Sequence, residues 1–174
     1  MAQQDERELE FDIEKLTDSI ESSLSGERFR TEINQLSSDD LALMKAADWI
    51  FDWRAETQRH DREVFKLTML ESIASIQGLV SLSVQEDHVY MNLIESASFN
   101  KGRNKLYLGV SGNLVAYCCK LSIENGFDGY VAFKAKTKLI KHYQKILGAI
   151  HIGAQQMIIA PPASTRLVNK YFKS

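Results

Sequence analysis

The feature that most constrains this chain is a change of hydrophobic period near residue 109. Before it, from Glu63, apolar and polar residues alternate: Phe65, Leu67 and Met69 share one face, with Lys66 and Thr68 on the other. That two-residue repeat is the signature of a half-buried strand. Gly78–Val84 and His88–Ile94 read as two further strands, with Gln85-Glu86-Asp87 as the hairpin turn between them. After residue 109 the repeat lengthens to the helical one. Leu114, Cys118 and Leu121 form a stripe ending at Gly126, and Leu139, Ile140, Tyr143, Ile146 and Leu147 form a second ending at Gly148. Gly129–Phe133 and Met157–Ala160 are the strands around them. An antiparallel meander followed by helix, strand, helix and strand requires a crossover into a parallel strand. The expected fold class is therefore α+β, with a mixed, mostly antiparallel central sheet flanked by helices.

Ahead of the meander the chain is acidic. Residues 1–40 carry 12 acids and 4 bases, residues 41–100 carry 9 and 5, and residues 101–174 carry 2 and 12. A net charge of -2 thus hides an acidic front and a basic back. Either the two pack side by side and neutralise each other, or the basic part meets a polyanion such as a nucleotide-bearing cofactor or a nucleic acid. Within the front, Ser23–Gly26 reads as a turn and Arg28–Leu36 as an edge strand. Ser37-Ser38-Asp39-Asp40 reads as a capping box opening a helix with Leu43, Ala47 and Ile50 on one face. Trp49 and Trp53, four apart at the end of that helix, belong either to the core or to a pocket wall.

No repeat, low-complexity tract or Pro/Ser linker divides residues 1–174, which are expected to form one domain with 1–40 as an acidic strand and helix segment. No apolar run approaches the ~20 residues of a membrane span. The start, Met1-Ala-Gln-Gln-Asp-Glu-Arg-Glu, is polar and acidic where a secretion signal is basic and then apolar, so a cytoplasmic location without membrane association is expected. Cys118 and Cys119 are adjacent in a helical pattern. That spacing excludes a bridge between them and a CxxC metal knuckle, and they are expected to be reduced core residues. His60, His88, His142 and His151 lack metal-ligand spacing, so no metal is expected.

The segment Gly109-Val110-Ser111-Gly112-Asn113-Leu114 stands between the meander and the first long helix. Two glycines three apart permit a tight turn whose N–H groups point outward at a positively polarised helix N-terminus, a place for phosphate or pyrophosphate. The same glycines also suit a plain strand-to-helix connection. Lys101, Arg103 and Lys105 precede the turn, either as cations for such a ligand or as a solvated loop.

On this element order, this turn, and a later helix carrying Tyr143 five residues before Gly148, the chain resembles the GNAT acetyltransferase superfamily across about residues 60–160. Gly78 through Gly148 also resembles a group of uncharacterised bacterial GNAT-like proteins. The family's turn reads Arg/Gln-x-x-Gly-x-Gly/Ala and its later segment Gly-Phe; here Leu106, Ser111 and Gly148-Ala149 stand at those positions. The resemblance implies acetyl-CoA as co-substrate and transfer of its acetyl group to an amine. Gly109, Val110, Ser111, Gly112, Asn113 and Leu114 are then expected to hold the pyrophosphate. The strand His88–Glu95 pairs with the cofactor's amide chain, and a backbone N–H near Ile94 polarises the thioester. Glu95 is the expected general base, and Tyr143 the expected acid that protonates the departing thiolate.

The acceptor, a small molecule or a protein amine, is unreadable. A different class fits the missing Arg/Gln at Leu106 and the acidic front: a non-catalytic GNAT-like interaction module, half of a regulatory or toxin–antitoxin-like pair. Nucleic-acid binding by the basic face ranks last, because few exposed aromatics accompany the lysines. A strand edge near the C-terminus would suit a homodimer.

Overall fold

In the computed structural model, described over residues 7–172, the period change becomes a change of architecture. The alternating stretch folds into β4 (Glu63–Met69), β5 (Ser72–Val84) and β6 (Val89–Ser96), each antiparallel to the next. Gln85 N–H donates to His88 O, closing the β5–β6 hairpin at the expected turn. The helical stretch gives α3 (Val110–Glu124), β8 (Val131–Lys134), α4 (Ile140–Leu147), β9 (Ile150–Gly153), β10 (Gln156–Ile159) and α5 (Ala163–Tyr171). Ahead of these lie β1 (Ile20–Ser22), β2 (Arg28–Phe29), β3 (Thr31–Gln35), α1 (Ser38–Leu43) and α2 (Trp53–Thr57), and β7 (Tyr107–Leu108) precedes α3.

Seven strands form one sheet in the order β3-β4-β5-β6-β8-β10-β9, and β2-β1-β7 form a small second sheet. Within the large sheet only β6 and β8 run parallel, as the α3 crossover dictates. The fold is α+β with a mixed sheet flanked by helices, as the sequence requires. α3 lies across the sheet with Cys118 and Cys119 fully buried in it, and burial pushes the Cys118 thiol up to about 12. Both are inert core residues.

Four details depart from the sequence expectation. The capping box forms, Ser37 Oγ accepting from Asp40 N–H, but α1 ends at Leu43, and Leu43 and Ile50 are 77% and 79% exposed. Six residues without a buried side are too few to sustain a helix, and the chain turns away where Glu95 grips the Ile50 and Phe51 N–H groups. β5 starts at Ser72, six residues before the expected Gly78. β8 starts at Val131 because Asp128 and Gly129, at φ 57° and 92°, still form the turn. β9 and α5 were not anticipated: β9 is an edge strand with every residue exposed, and α5 carries only a thin stripe of Ala163, Leu167 and Tyr171. The reading of residues 1–6 lies outside the described residues.

α5 fixes the start of α3. A Cβ on Gly112 would meet the Tyr171 hydroxyl at 2.2 Å, so the glycine is what lets the two helices approach. Gly112→Ala is expected to destabilise the protein by about 1–3 kcal/mol through this overlap. Urea unfolding of the variant measures it, and an unchanged midpoint would mean that α5 packs elsewhere.

Candidate functional site

β6 and β8 pair over two positions only, Val89 with Val131 and Tyr90 with Ala132, and then separate. A bulge in β6 marks the departure. Ser81 stands opposite Leu93 and Leu82 opposite Met91, which leaves Asn92 as the extra residue, its amide donating to Ser83 Oγ at 2.8 Å. Past the bulge, Ala97 N–H donates to Gln77 O, so Leu93 and Glu95 address β5 and the Ile94 N–H is turned toward the gap.

Part of the gap is filled by this chain itself. Leu9 bridges Ala135 in parallel, its N–H donating to Lys134 O at 2.7 Å and its C=O accepting from Lys136 N–H at 3.1 Å. Leu9, Phe11 and Ile13 are buried while Glu8, Glu10, Asp12 and Glu14 are exposed. Each buried apolar side chain contributes about 1.5–3 kcal/mol to holding the segment in place. Glu10 pairs with Lys136 and Lys138, whose hydrogen bonds hold its carboxyl down at about 2. Between this segment and the end of β6 remains a cavity of about 940 Å³, lined among others by Ile94, Glu95, Ser96, Lys101 and Ser111. That is the size of a small-molecule site.

The phosphate turn lies at the far end of the same segment. Gly109 caps α3 at φ 91°, and a Cβ there would meet Thr17 Oγ1 at 2.1 Å. Glycine is thus required by conformation and by contact. Thr17 N–H donates to the Tyr171 hydroxyl at 2.9 Å. Beside the turn, Lys105 Nζ is buried and bonds Asp12 at 2.6 Å and Glu14 at 3.1 Å. Burial alone would push the lysine down, but the two carboxylates outweigh it and hold its pKa above the ordinary value. The space left between Asp12–Lys15 and the Gly109–Gly112 turn is about 30 Å³. That is room for about one water. Asn113 is fully buried in the first turn, and its amide has no hydrogen-bond partner among the described residues. Leu114 is likewise buried, over Gly78.

The two residues singled out for proton transfer are both engaged. Tyr143, fully buried on α4, donates to Phe11 O at 2.7 Å and accepts from Phe11 N–H at 2.8 Å. Its ring stacks on Phe11 at 4.3 Å between centroids, and desolvation raises its pKa far above the ordinary phenol. Glu95 accepts from Ile50 N–H, Phe51 N–H, Trp53 Nε1 and Lys101 Nζ, at 2.8, 3.3, 2.8 and 2.5 Å. With four donors on two oxygens, it anchors the loop before α2 and has little capacity left for an incoming ammonium. Trp53 is the core member of the tryptophan pair, and its indole N–H explains its place beside Glu95.

Sequence reasoning missed the segment Leu9–Thr17 as part of the site. The signal was present: Leu9-Glu10-Phe11-Asp12-Ile13-Glu14 alternates apolar with acidic residues without a break. Its acids face Lys105, Lys136 and Lys138 from the basic half, so the packing of acidic front against basic back is realised here.

No protein-family model and no curated protein matches this sequence. Solved structures do match in fold. One is a streptothricin acetyltransferase from Bacillus anthracis in complex with acetyl coenzyme A, 13% identical, covering 75% of this chain and 97% of that one, with a TM-score of 0.50. A nourseothricin acetyltransferase is 15% identical over 76% and 99%, at 0.52. The KacTA-DNA complex is 11% identical over 79% and 98%, at 0.54. At such identities the likeness establishes architecture: the chain has the GNAT fold.

In the geometry above, the Tyr143 hydroxyl serves the segment. Tyr143→Phe leaves the buried N–H and C=O of Phe11 without that partner and is expected to cost about 1–3 kcal/mol. Urea unfolding gives the loss, and amide exchange should quicken at Phe11. Unchanged stability and exchange would mean the hydroxyl is free for other work.

Proposed function

We propose that this protein is an acetyl-CoA-dependent N-acetyltransferase acting on an amine acceptor yet to be identified. The observation that carries the reading is the divergence of β6 from β8 at the Asn92 bulge, which turns the Ile94 N–H toward a cavity of about 940 Å³. In support, two of the fold neighbours are acetyltransferases, one of them solved with acetyl coenzyme A. The residues fit the acyl end of such a ligand well. They fit the phosphate end only once Asp12–Lys15 move off the Gly109–Leu114 turn, where the first-turn N–H groups of α3 would hold the pyrophosphate.

Acetyl-CoA supplies an acyl thioester, whose carbonyl carbon an amine attacks with loss of the thiolate. The Ile94 N–H is positioned to stabilise charge on the carbonyl oxygen. Proton removal is the open role. Glu95 can take the ammonium proton, directly or through water, only if it releases one of its four donors, and Tyr143 can serve the thiolate only if Phe11 withdraws. Lys101, within reach of both the cavity and Glu95, couples the two.

One observation favours the second reading, a non-catalytic GNAT-like module acting through another protein. The Tyr143 hydroxyl and the Lys105 ammonium are both taken by the leading segment. The exposed edge β9, with Ile150 and Ile152 at 51% and 56%, suits a homodimer or such a partner. A nucleic-acid partner stays a separate possibility, since one fold neighbour was solved with DNA, although Lys105, Lys136, Lys138 and Lys170 are here paired with acids. No helix among the described residues is long and apolar enough to cross a membrane.

Calorimetric titration with acetyl-CoA and with CoA decides between the two. The acetyltransferase reading predicts a Kd on the order of micromolar. It also predicts at least about tenfold weaker binding in Ser96→Trp, which blocks the junction lined by Ser96 and Ser111 between the cavity and the turn. Thermal stability of the variant should be retained, and thiol release with a panel of amines then identifies the acceptor. Absence of binding to both ligands would favour the interaction module.

A further inference from the structure

We propose that the arc Asp12–Thr17 is a built-in competitor for the phosphate end of acetyl-CoA, and that it must lift from the α3 N-terminus before the cofactor seats. The inference rests on the acetyl-CoA reading above and concerns how access to that site is controlled.

The two halves of the leading segment are held differently. Leu9, Phe11 and Ile13 are anchored by burial and by backbone bonds to Lys134, Lys136 and the Tyr143 hydroxyl. Ile13 adds a hydrogen bond, its C=O accepting from His142 Nε2 at 2.6 Å. The Asp12 side chain and Glu14–Thr17 are held instead by Asp12 and Glu14 on Lys105, by Thr17 on Tyr171 and by the partly buried Leu16, with Lys15 exposed between them. Both carboxylates are themselves more than half exposed, at 54% and 63%, so each ion pair is open to competition by another anion. The acyl end of the site is open while the phosphate end is reduced to about 30 Å³.

The arc also matches what a pyrophosphate presents. It brings two negative groups to the buried cation beside α3, Lys105, which is 9% exposed. Thr17 stands against Gly109, with its Oγ1 2.1 Å from where a Cβ would lie. A pyrophosphate seated on the α3 N–H groups with Lys105 as counter-ion would use the position these carboxylates now fill. Occupation by one excludes the other. The closed arc thus lowers the apparent affinity for acetyl-CoA by the fraction of molecules in which it is down.

The test uses the full chain, wild type and Asp12→Asn/Glu14→Gln. The variant keeps the size of both side chains and one acceptor oxygen on each, and removes their charge. Acetyl-CoA titration should show the variant binding at least tenfold more tightly than the wild type. Trypsin supplies a second reading, because Lys15 lies in the arc: acetyl-CoA should quicken cleavage after Lys15 in the wild type, and amide exchange at Thr17 should rise in parallel. Equal or weaker binding by the variant, or cleavage at Lys15 that acetyl-CoA leaves unchanged or slows, would overturn the competitor while leaving the acetyl-CoA site intact. Failure of both proteins to bind acetyl-CoA would overturn the competitor and the acetyltransferase reading together.

Discussion

The short parallel contact between β6 and β8 is the constraint from which the remaining features follow. Only two residue pairs hold the strands together. Beyond them β6 is deflected by the Asn92 bulge, while β8 ends after four residues. Two strands that diverge inside a sheet expose backbone groups and apolar side faces that must be covered. The protein covers the β8 edge with its own residues Leu9–Ile13 and leaves the β6 edge, with Ile94, against a cavity. Removing the divergence would remove the cavity, the slot for Leu9 and the environment of Tyr143 at once.

The charge asymmetry of the sequence is resolved by the same segment. The acids of the front stand every second residue on one face of an extended chain, because the alternate residues are buried. That places Glu10 against Lys136 and Lys138, Asp12 and Glu14 against Lys105, and Asp18 against Lys170 and Arg28. In the proposed function these are the cations an anionic cofactor would find. Self-neutralisation and anion binding are then two states of one surface rather than alternative accounts of it.

The meander, α3, α4 and the mixed sheet were legible for different reasons: the strands and the short α4 write their period into the sequence, and α3 is a long, mostly buried apolar run. Phe65, Leu67 and Met69 on one strand, and Ile140, Tyr143 and Leu147 on one helix, carried that information. The helix expected through Leu43, Ala47 and Ile50 failed because three apolar residues at helical spacing say nothing about what they pack against. Here the Glu95 carboxylate draws Ile50 and Phe51 out of line. β9 was illegible because it buries nothing. At the site, the break at Gly109 was visible, but Val110–Leu114, expected in the turn, already belong to α3, and the contacts of Gly109 with Thr17 and of Gly112 with Tyr171 come from residues far away in sequence. Tyr143 was singled out from a family resemblance, and its buried hydroxyl is bound to a backbone 132 residues earlier. No local pattern encodes such a pairing.

The claim on which the account turns is that the Ile94 N–H faces an acyl-CoA site. The most direct measurement follows the backbone amide resonances of the ¹⁵N-labelled full chain during titration with acetyl-CoA. The account predicts a saturable shift of the Ile94 amide, larger with acetyl-CoA than with CoA, because only the thioester carries the acetyl carbonyl. An Ile94 resonance that stays fixed while acetyl-CoA binds elsewhere would contradict it.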